Sequence, residues 1–194
     1  TVMTIVENYP PQVLSCNMNM LGTHDTPRIL TALVDDFDGT WEEKSKRHLS
    51  RSQRDLALER LQMAAFLQYT LPGSPSLYYG DEAGMEGYKD PFNRRTYPWG
   101  GEDRELLAFF QQLGQLRKGQ EPLRLGDISF FEAGDGKLGF TRSVNGQTLR
   151  IYVNHSMDAW QVPVGRVLFG HHIHTLAPTW LSLSPMGFCV TREE

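Results

Sequence analysis

Met18-Asn19-Met20-Leu21 is a short apolar run that stops at Gly22 and passes straight into Thr23-His24-Asp25-Thr26-Pro27-Arg28. Gly22 lets the backbone turn, and His24 and Asp25 follow at once. Pro27 suits the first turn of a helix, where its missing N–H would have no partner anyway. A buried strand that delivers an imidazole and a carboxylate to the mouth of an α/β fold reads this way. In a (β/α)8 barrel such strand ends lie on the catalytic face. A His-Asp pair in a turn is also a common cap, so the pair gains its weight from a second strand end. Pro75-Ser76-Leu77-Tyr78-Tyr79 likewise runs into Gly80-Asp81-Glu82-Ala83-Gly84.

The segments around these strand ends fit one pattern. Val13 to Leu21 is expected as a strand buried on both faces. Pro27 to Val34 opens a short helix, and the charged residues 35–48 read as a solvated loop. Ser50, or Ser52 with Asp55 behind it, caps a helix that runs to Thr70 and stops at Pro72-Gly73. Leu58, Leu61 and Ala65 mark one apolar stripe; Leu56, Met63, Leu67 and Leu71 mark another, so burial between layers is expected. Two strands joined by a long helix make a βαβ unit with parallel strands. Asp25 and the Asp81-Glu82 pair should then face a common rim.

Residues 84–102 form a long loop with Tyr88, Lys89, Asp90, Phe92, Asn93, Arg94, Arg95, Tyr97 and Trp99. Loops of this length in compact domains tend to be functional. Aromatic faces with Asp, Asn and Arg suit a sugar; a surface loop pinned by Tyr97 and Trp99 is the alternative. Asp103 caps a further helix to Lys118, with Leu106, Phe109, Phe110, Leu113 and Leu116 as its stripe, ended by Gly119 and Pro122.

After Pro122 the periodicity changes to two. Ile128 and Phe130, then Leu138 and Phe140, then Leu149, Ile151 and Val153 alternate, with Asp135-Gly136 and Asn145-Gly146 as hairpin turns. Apolar runs follow at 162–168 and 188–190. This part reads as an antiparallel β-sandwich. The domains expected are residues 1–119 and 120–194.

The chain has 194 residues; 40% hydrophobic and 22% charged content marks it as globular. A net charge of −4 without a basic stripe argues against nucleic acid as a partner. No apolar run is long enough for a membrane helix and no signal peptide is visible, so no membrane partner and a cytoplasmic location are expected. The start at Thr1 reads as a processed or excised chain. Cys16 and Cys189 read as buried free thiols suited to a reducing compartment. His171-His172-Ile173-His174 lacks a Cys or carboxylate at ligand spacing and reads as a turn, so no metal is expected. Neither GxxxxGK[ST], GxGxxG nor Gly-x-Ser-x-Gly occurs, and no cofactor is expected.

Three motifs carry a resemblance: Leu21-Gly22-Thr23-His24-Asp25-Thr26-Pro27-Arg28, residues 71–84 from Leu71-Pro72-Gly73 to Gly84, and Asp90-Pro91-Phe92-Asn93-Arg94-Arg95-Thr96-Tyr97-Pro98-Trp99. In this order they resemble the α-amylase family of glycoside hydrolases, closest to its neopullulanase, maltogenic amylase and cyclomaltodextrinase group. The resemblance implies the last two βα units of a (β/α)8 TIM barrel followed by an antiparallel β-sandwich. It implies that Asp25 is the acidic residue that stabilises the transition state and that His24 binds sugar hydroxyls. Asp90 and Arg94 would bind substrate from the loop after the eighth strand, with Asp81 and Glu82 as anchors of that loop.

The substrate implied is an α-glucan or cyclodextrin, cleaved with retention at α-1,4 and α-1,6 bonds. Retaining hydrolysis needs a nucleophilic carboxylate and a separate acid/base. The family carries these on its fourth and fifth strands, and no position here matches them. The isolated chain is therefore expected to be inactive. Its exposed barrel remnant is expected to self-associate. A non-catalytic amylase-like module for sugar binding or protein interaction is the rival reading.

Overall fold

The computed structural model describes residues 2–163 and 165–193. In chain order the elements are α1 (Val2–Asn8), α2 (Pro11–Cys16), β1 (Met18–Met20), α3 (Ile29–Ala32), α4 (Trp41–Lys46), α5 (Arg51–Thr70) and β2 (Ser74–Ser76). A 3-10 turn (Phe92–Arg94), α6 (Arg104–Gly119), α7 (Glu121–Leu125) and the strands β3 (Asp127–Gly134), β4 (Lys137–Val144) and β5 (Gln147–Asn154) follow. The last strands are β6 (Trp160–Pro163), β7 (Arg166–Ala177) and β8 (Trp180–Arg192). The chain divides into two compact units. One holds residues 19–68 and 75–113; the other holds residues 1–18, 69–74 and 114–194.

In the first unit, α5 starts where Ser50 and Gln53 close a capping box. The Gln53 N–H donates to Ser50 Oγ at 3.3 Å and the Ser50 N–H to Gln53 Oε1 at 3.0 Å. Ser50, not Ser52, is therefore the cap. Ala57, Leu61, Ala65 and Phe66 are completely buried, whereas Leu56 of the second expected stripe is exposed. Asp103 caps α6 by accepting from the Leu106 N–H at 3.2 Å, and Leu106, Phe109, Phe110 and Leu113 are buried as expected.

The first strand is much shorter than expected. Pro11 stands in the first turn of α2, which takes up Val13 to Cys16, and the chain extends only from Asn17. β1 pairs with β2 in a two-stranded sheet, but Met18 and Met20 are 58% and 56% exposed instead of buried. Cys16 is exposed as well; only Cys189 is a buried thiol, and burial pushes it up to about 12. Residues 35–48 are not a loop throughout, because Thr40 and Glu43 form a capping box that starts α4.

In the other unit, two cations close the last turn of α5. Arg117 donates to the carbonyls of Tyr69 (2.7 Å), Leu71 (3.3 Å) and Gly73, and Arg142 donates to that of Thr70 (2.6 Å). Guanidinium groups there satisfy orphan carbonyls and face the negative end of the helix dipole. Burial holds Arg142 down at about 10, with the charge of Arg117 adding to the effect.

The β-sandwich is one curled six-stranded sheet. Its order is β3-β4-β5-β8-β6, with β7 also on β8. β8 pairs along its length with β7, while its other edge pairs with β6 over residues 180–183 and with β5 over residues 188–192. Between these halves, residues 184–187 bulge opposite His172, which has φ 48°. The sheet folds over there, and Tyr152, Val162, Leu181, Leu183 and Cys189 meet in one core with Trp160 and Ile173 against it.

The histidine run thus lies in a bulged strand, not a turn. His171 stacks on Phe188, its partner in register, at 5.0 Å. The expected run at 162–168 is likewise divided between β6 and β7. Asp135-Gly136 and Asn145-Gly146 make the two hairpin turns with φ near +50° then +75°, as type I′ turns require. Among the described residues no helix is long and apolar enough to cross a membrane.

Gly136 and Gly146 share φ 75° but differ in surroundings. A Cβ on Gly146 meets nothing within 4 Å, whereas one on Gly136 lies 2.9 Å from the Ser156 backbone nitrogen. Urea unfolding should therefore show Gly146→Ala destabilised by about 1–2 kcal/mol, from backbone strain alone, and Gly136→Ala destabilised by more. Equal losses would contradict this packing.

Candidate active site

The turn after β1 carries the pair singled out by sequence. Thr23 and Thr26 shape it locally: the Thr23 N–H donates to Thr26 Oγ1 at 3.2 Å and the Asp25 N–H to Thr23 Oγ1 at 3.2 Å. The side chains of His24 and Asp25 stand in solvent, 67% and 72% exposed, with His24 Nε2 3.3 Å from Asp25 Oδ1. Their exposure suits groups that meet a ligand, because nothing in this unit uses their polar atoms for burial.

The long loop holds this turn from the side. Asn93 is completely buried, and its amide Nδ2 donates to the carbonyls of His24 (2.7 Å) and Thr26 (2.8 Å). Arg94 Nε also donates to the His24 carbonyl, at 3.0 Å. The same guanidinium pairs with Asp90 at 3.0 Å and lies 3.6 Å from Asp25 Oδ1. All four expected site residues therefore fall in one cluster: His24 beside Asp25, and Arg94 between Asp25 and Asp90. Sequence reasoning missed Asn93 as the clamp of this cluster. Its place beside Arg94 in the third motif was the signal available.

The loop itself is fixed by buried polar contacts. The Arg28 N–H donates to the Gly87 carbonyl (2.8 Å) and the Gly87 N–H to Thr31 Oγ1 (3.0 Å). Arg54 pairs with Glu86 at 2.6 Å and with Asp103 at 3.1 Å. Tyr88 donates its hydroxyl to Asp35 at 2.7 Å. Trp99 does not pin the loop: it is 86% exposed and touches Tyr97.

Beneath the two strand ends lies Arg28, fully buried. Its guanidinium stands 4.4 and 4.5 Å from the ring centres of Tyr78 and Tyr79. Nη1 donates to the Tyr79 carbonyl and reaches Asp81 Oδ1 at 3.4 Å. Nε and Nη2 have no hydrogen-bond partner among the described residues, so the aromatic faces and the Asp81 charge are what compensate this cation. Gly22 is explained by the same contact, because a Cβ there would lie 2.5 Å from Asp81 Oδ2. Glu82 accepts from the Gly80 N–H at 2.9 Å. Glu82 thus faces its own loop, whereas Asp81 faces Arg28 and Gly22 of the turn after β1. Burial raises Asp81 to about 6, against the pull of Arg28, with Glu82 adding to the rise.

No family model matches the chain. An amylopullulanase of Thermoanaerobacter thermohydrosulfuricus is 40% identical over 87% of this chain. A cyclomaltodextrinase of Geobacillus thermopakistaniensis is 32% identical over all of it. The chain belongs with the α-amylase family of glycoside hydrolases. It spans 12% of that amylopullulanase and 32% of that cyclomaltodextrinase. A solved structure of a Nostoc punctiforme debranching enzyme matches 99% of the chain at a TM-score of 0.75 and 23% identity, and covers 37% of that protein. This likeness shows the fold shared between this α-amylase-family segment and the larger enzyme.

A carboxyl whose folded pKa is raised binds its proton more tightly in the native state than in the unfolded one. Its contribution to stability is present below about pH 4 and lost as pH rises toward 6. The difference in unfolding free energy between the unmodified chain and Asp81→Asn should therefore change between pH 4 and 6.5, with the unmodified chain losing ground as pH rises. A pH-independent difference would contradict the buried placement of Asp81.

Proposed function

We propose that this chain is the C-terminal part of a retaining α-glucan hydrolase that acts on α-1,4 and α-1,6 glucosidic bonds. Residues 1–119 would supply the seventh and eighth strands of its (β/α)8 barrel and residues 120–194 its β-sandwich. The observation that carries this reading is the single cluster of His24, Asp25, Asp90 and Arg94, joined through the Arg94 guanidinium. Asp25 would act on the transition state. As the sugar ring flattens, its hydroxyls shift toward the carboxylate, and bonds that tighten only then lower the barrier. His24 would hold neighbouring hydroxyls, and Asp90 and Arg94 would fix an adjacent glucosyl unit.

Retention requires a nucleophilic carboxylate and a separate acid/base, and no position of this chain matches the family's motif for either. The 194-residue chain should release no reducing sugar from soluble α-glucan. In the longer enzyme that carries this segment, Asp25→Asn should lower kcat by roughly 10²–10³-fold with KM little changed, as loss of a group used in the transition state does. An unchanged kcat there would move the reading to a non-catalytic sugar-binding or interaction module.

The intact enzyme would take α-glucans or cyclodextrins. Two free cysteines fit a reducing compartment, and we place it in the cytoplasm. Exposed Met18 and Met20 on β1 favour self-association of the isolated chain through its barrel part. Analytical ultracentrifugation should show a concentration-dependent dimer or larger species that Met18→Lys with Met20→Lys disperses. A monomer at all concentrations would contradict this.

A further inference from the structure

Helix α4 carries a largely exposed indole. Trp41 opens the helix immediately after its Thr40 cap, and it is 65% exposed. Single exposed apolar residues are ordinary; this one differs in how it is mounted. Its ring packs on Phe92 at 5.4 Å, tilted by 53°. At the other end of α4, Arg95 Nη2 donates to the Ser45 carbonyl at 3.2 Å. Arg47, which follows the helix, donates to Asp35 (2.9 Å) and the Tyr88 hydroxyl (2.8 Å) and stacks 4.2 Å from the Phe37 ring centre. Three attachments thus fasten α4 to the long loop.

Phe92 is itself buried and begins the 3-10 turn whose next two residues are Asn93 and Arg94. Those residues hold the His24 carbonyl and reach Asp25. Trp41 and the candidate site are therefore mounted on the same three-residue turn. A rigid aromatic face beside a carboxylate and a guanidinium is what a pyranose requires. Its C–H face covers the ring while its hydroxyls meet the charged groups, and little conformational freedom is lost on binding.

We propose that Trp41 is a stacking platform for one glucosyl unit of an α-glucan whose neighbouring units engage His24, Asp90 and Arg94. The proposal rests on the α-glucan reading of that cluster. It makes α4, a helix of mixed charge, a substrate-facing element of the loop after β1. Trp41 would extend the subsites along the glucan and so bear on chain-length preference.

The 15N-labelled chain titrated with maltoheptaose tests this. Its four tryptophans give separate indole N–H signals, and Trp160 and Trp180 in the sandwich serve as internal references. The Trp41 signal should move along a saturating curve together with the His24 ring signal. Trp41→Ala should weaken the affinity read at His24 by about three- to tenfold, the scale of one aromatic contact, and Trp41→Phe should restore most of it. If Trp41→Ala fails to fold, movement of the Trp41 signal in the unmodified chain still decides. Movement of His24 without Trp41 overturns the platform and leaves the site reading standing. Movement confined to Trp160 and Trp180, or none at all, overturns both.

Discussion

The His24 carbonyl is the point on which the candidate site depends. It accepts from Asn93 and from Arg94 at once, and Asn93 uses its second amide hydrogen on the Thr26 carbonyl. Backbone carbonyls drawn toward a buried loop need donors, and a completely buried amide supplies them at the cost of few degrees of freedom. With its backbone fixed from inside, the turn can leave the His24 and Asp25 side chains in solvent. The arrangement separates the groups that build the site from those that face a ligand.

Arg28 shows what holding two strand ends together costs. A buried guanidinium with two nitrogens lacking partners is unfavourable unless charge and packing compensate. Here Asp81 supplies the charge and the Tyr78 and Tyr79 rings supply the faces. Asp81 in turn sits so close to Gly22 that a Cβ there would displace its carboxylate. Three residues from two motifs therefore constrain one another. In the other unit the cations Arg117 and Arg142 donate to the carbonyls at the end of α5.

Local signals were read well. The Asp-Gly and Asn-Gly turns lie where the alternation broke, because left-handed backbone pairs demand those residues. The cap at Asp103 and the stripe of α6 follow from spacing alone, whereas spacing leaves Ser50 and Ser52 both open and the Gln53 contact decides for Ser50. What depended on distant partners was not legible. Burial of β1 was inferred from apolar content, yet Met18 and Met20 are exposed, since no neighbour covers them among the described residues. Residues 35–48 carry a charge run typical of a solvated loop, and the Thr40-x-x-Glu43 capping box within it is the signal that starts α4. The four site residues could be gathered from their motifs; the burial of Asn93 and Arg28 in those same motifs could not, because a buried amide and a buried guanidinium leave no periodic trace.

The central claim is that this chain supplies the last two strand ends of an α-glucan hydrolase. Reading the genomic frame upstream of Thr1 tests it most directly. The account predicts that the frame continues through further barrel strands, with an aspartate nucleophile on the fourth and a glutamate acid/base on the fifth. A frame that opens at Thr1, or that continues into a domain without those carboxylates, would contradict it.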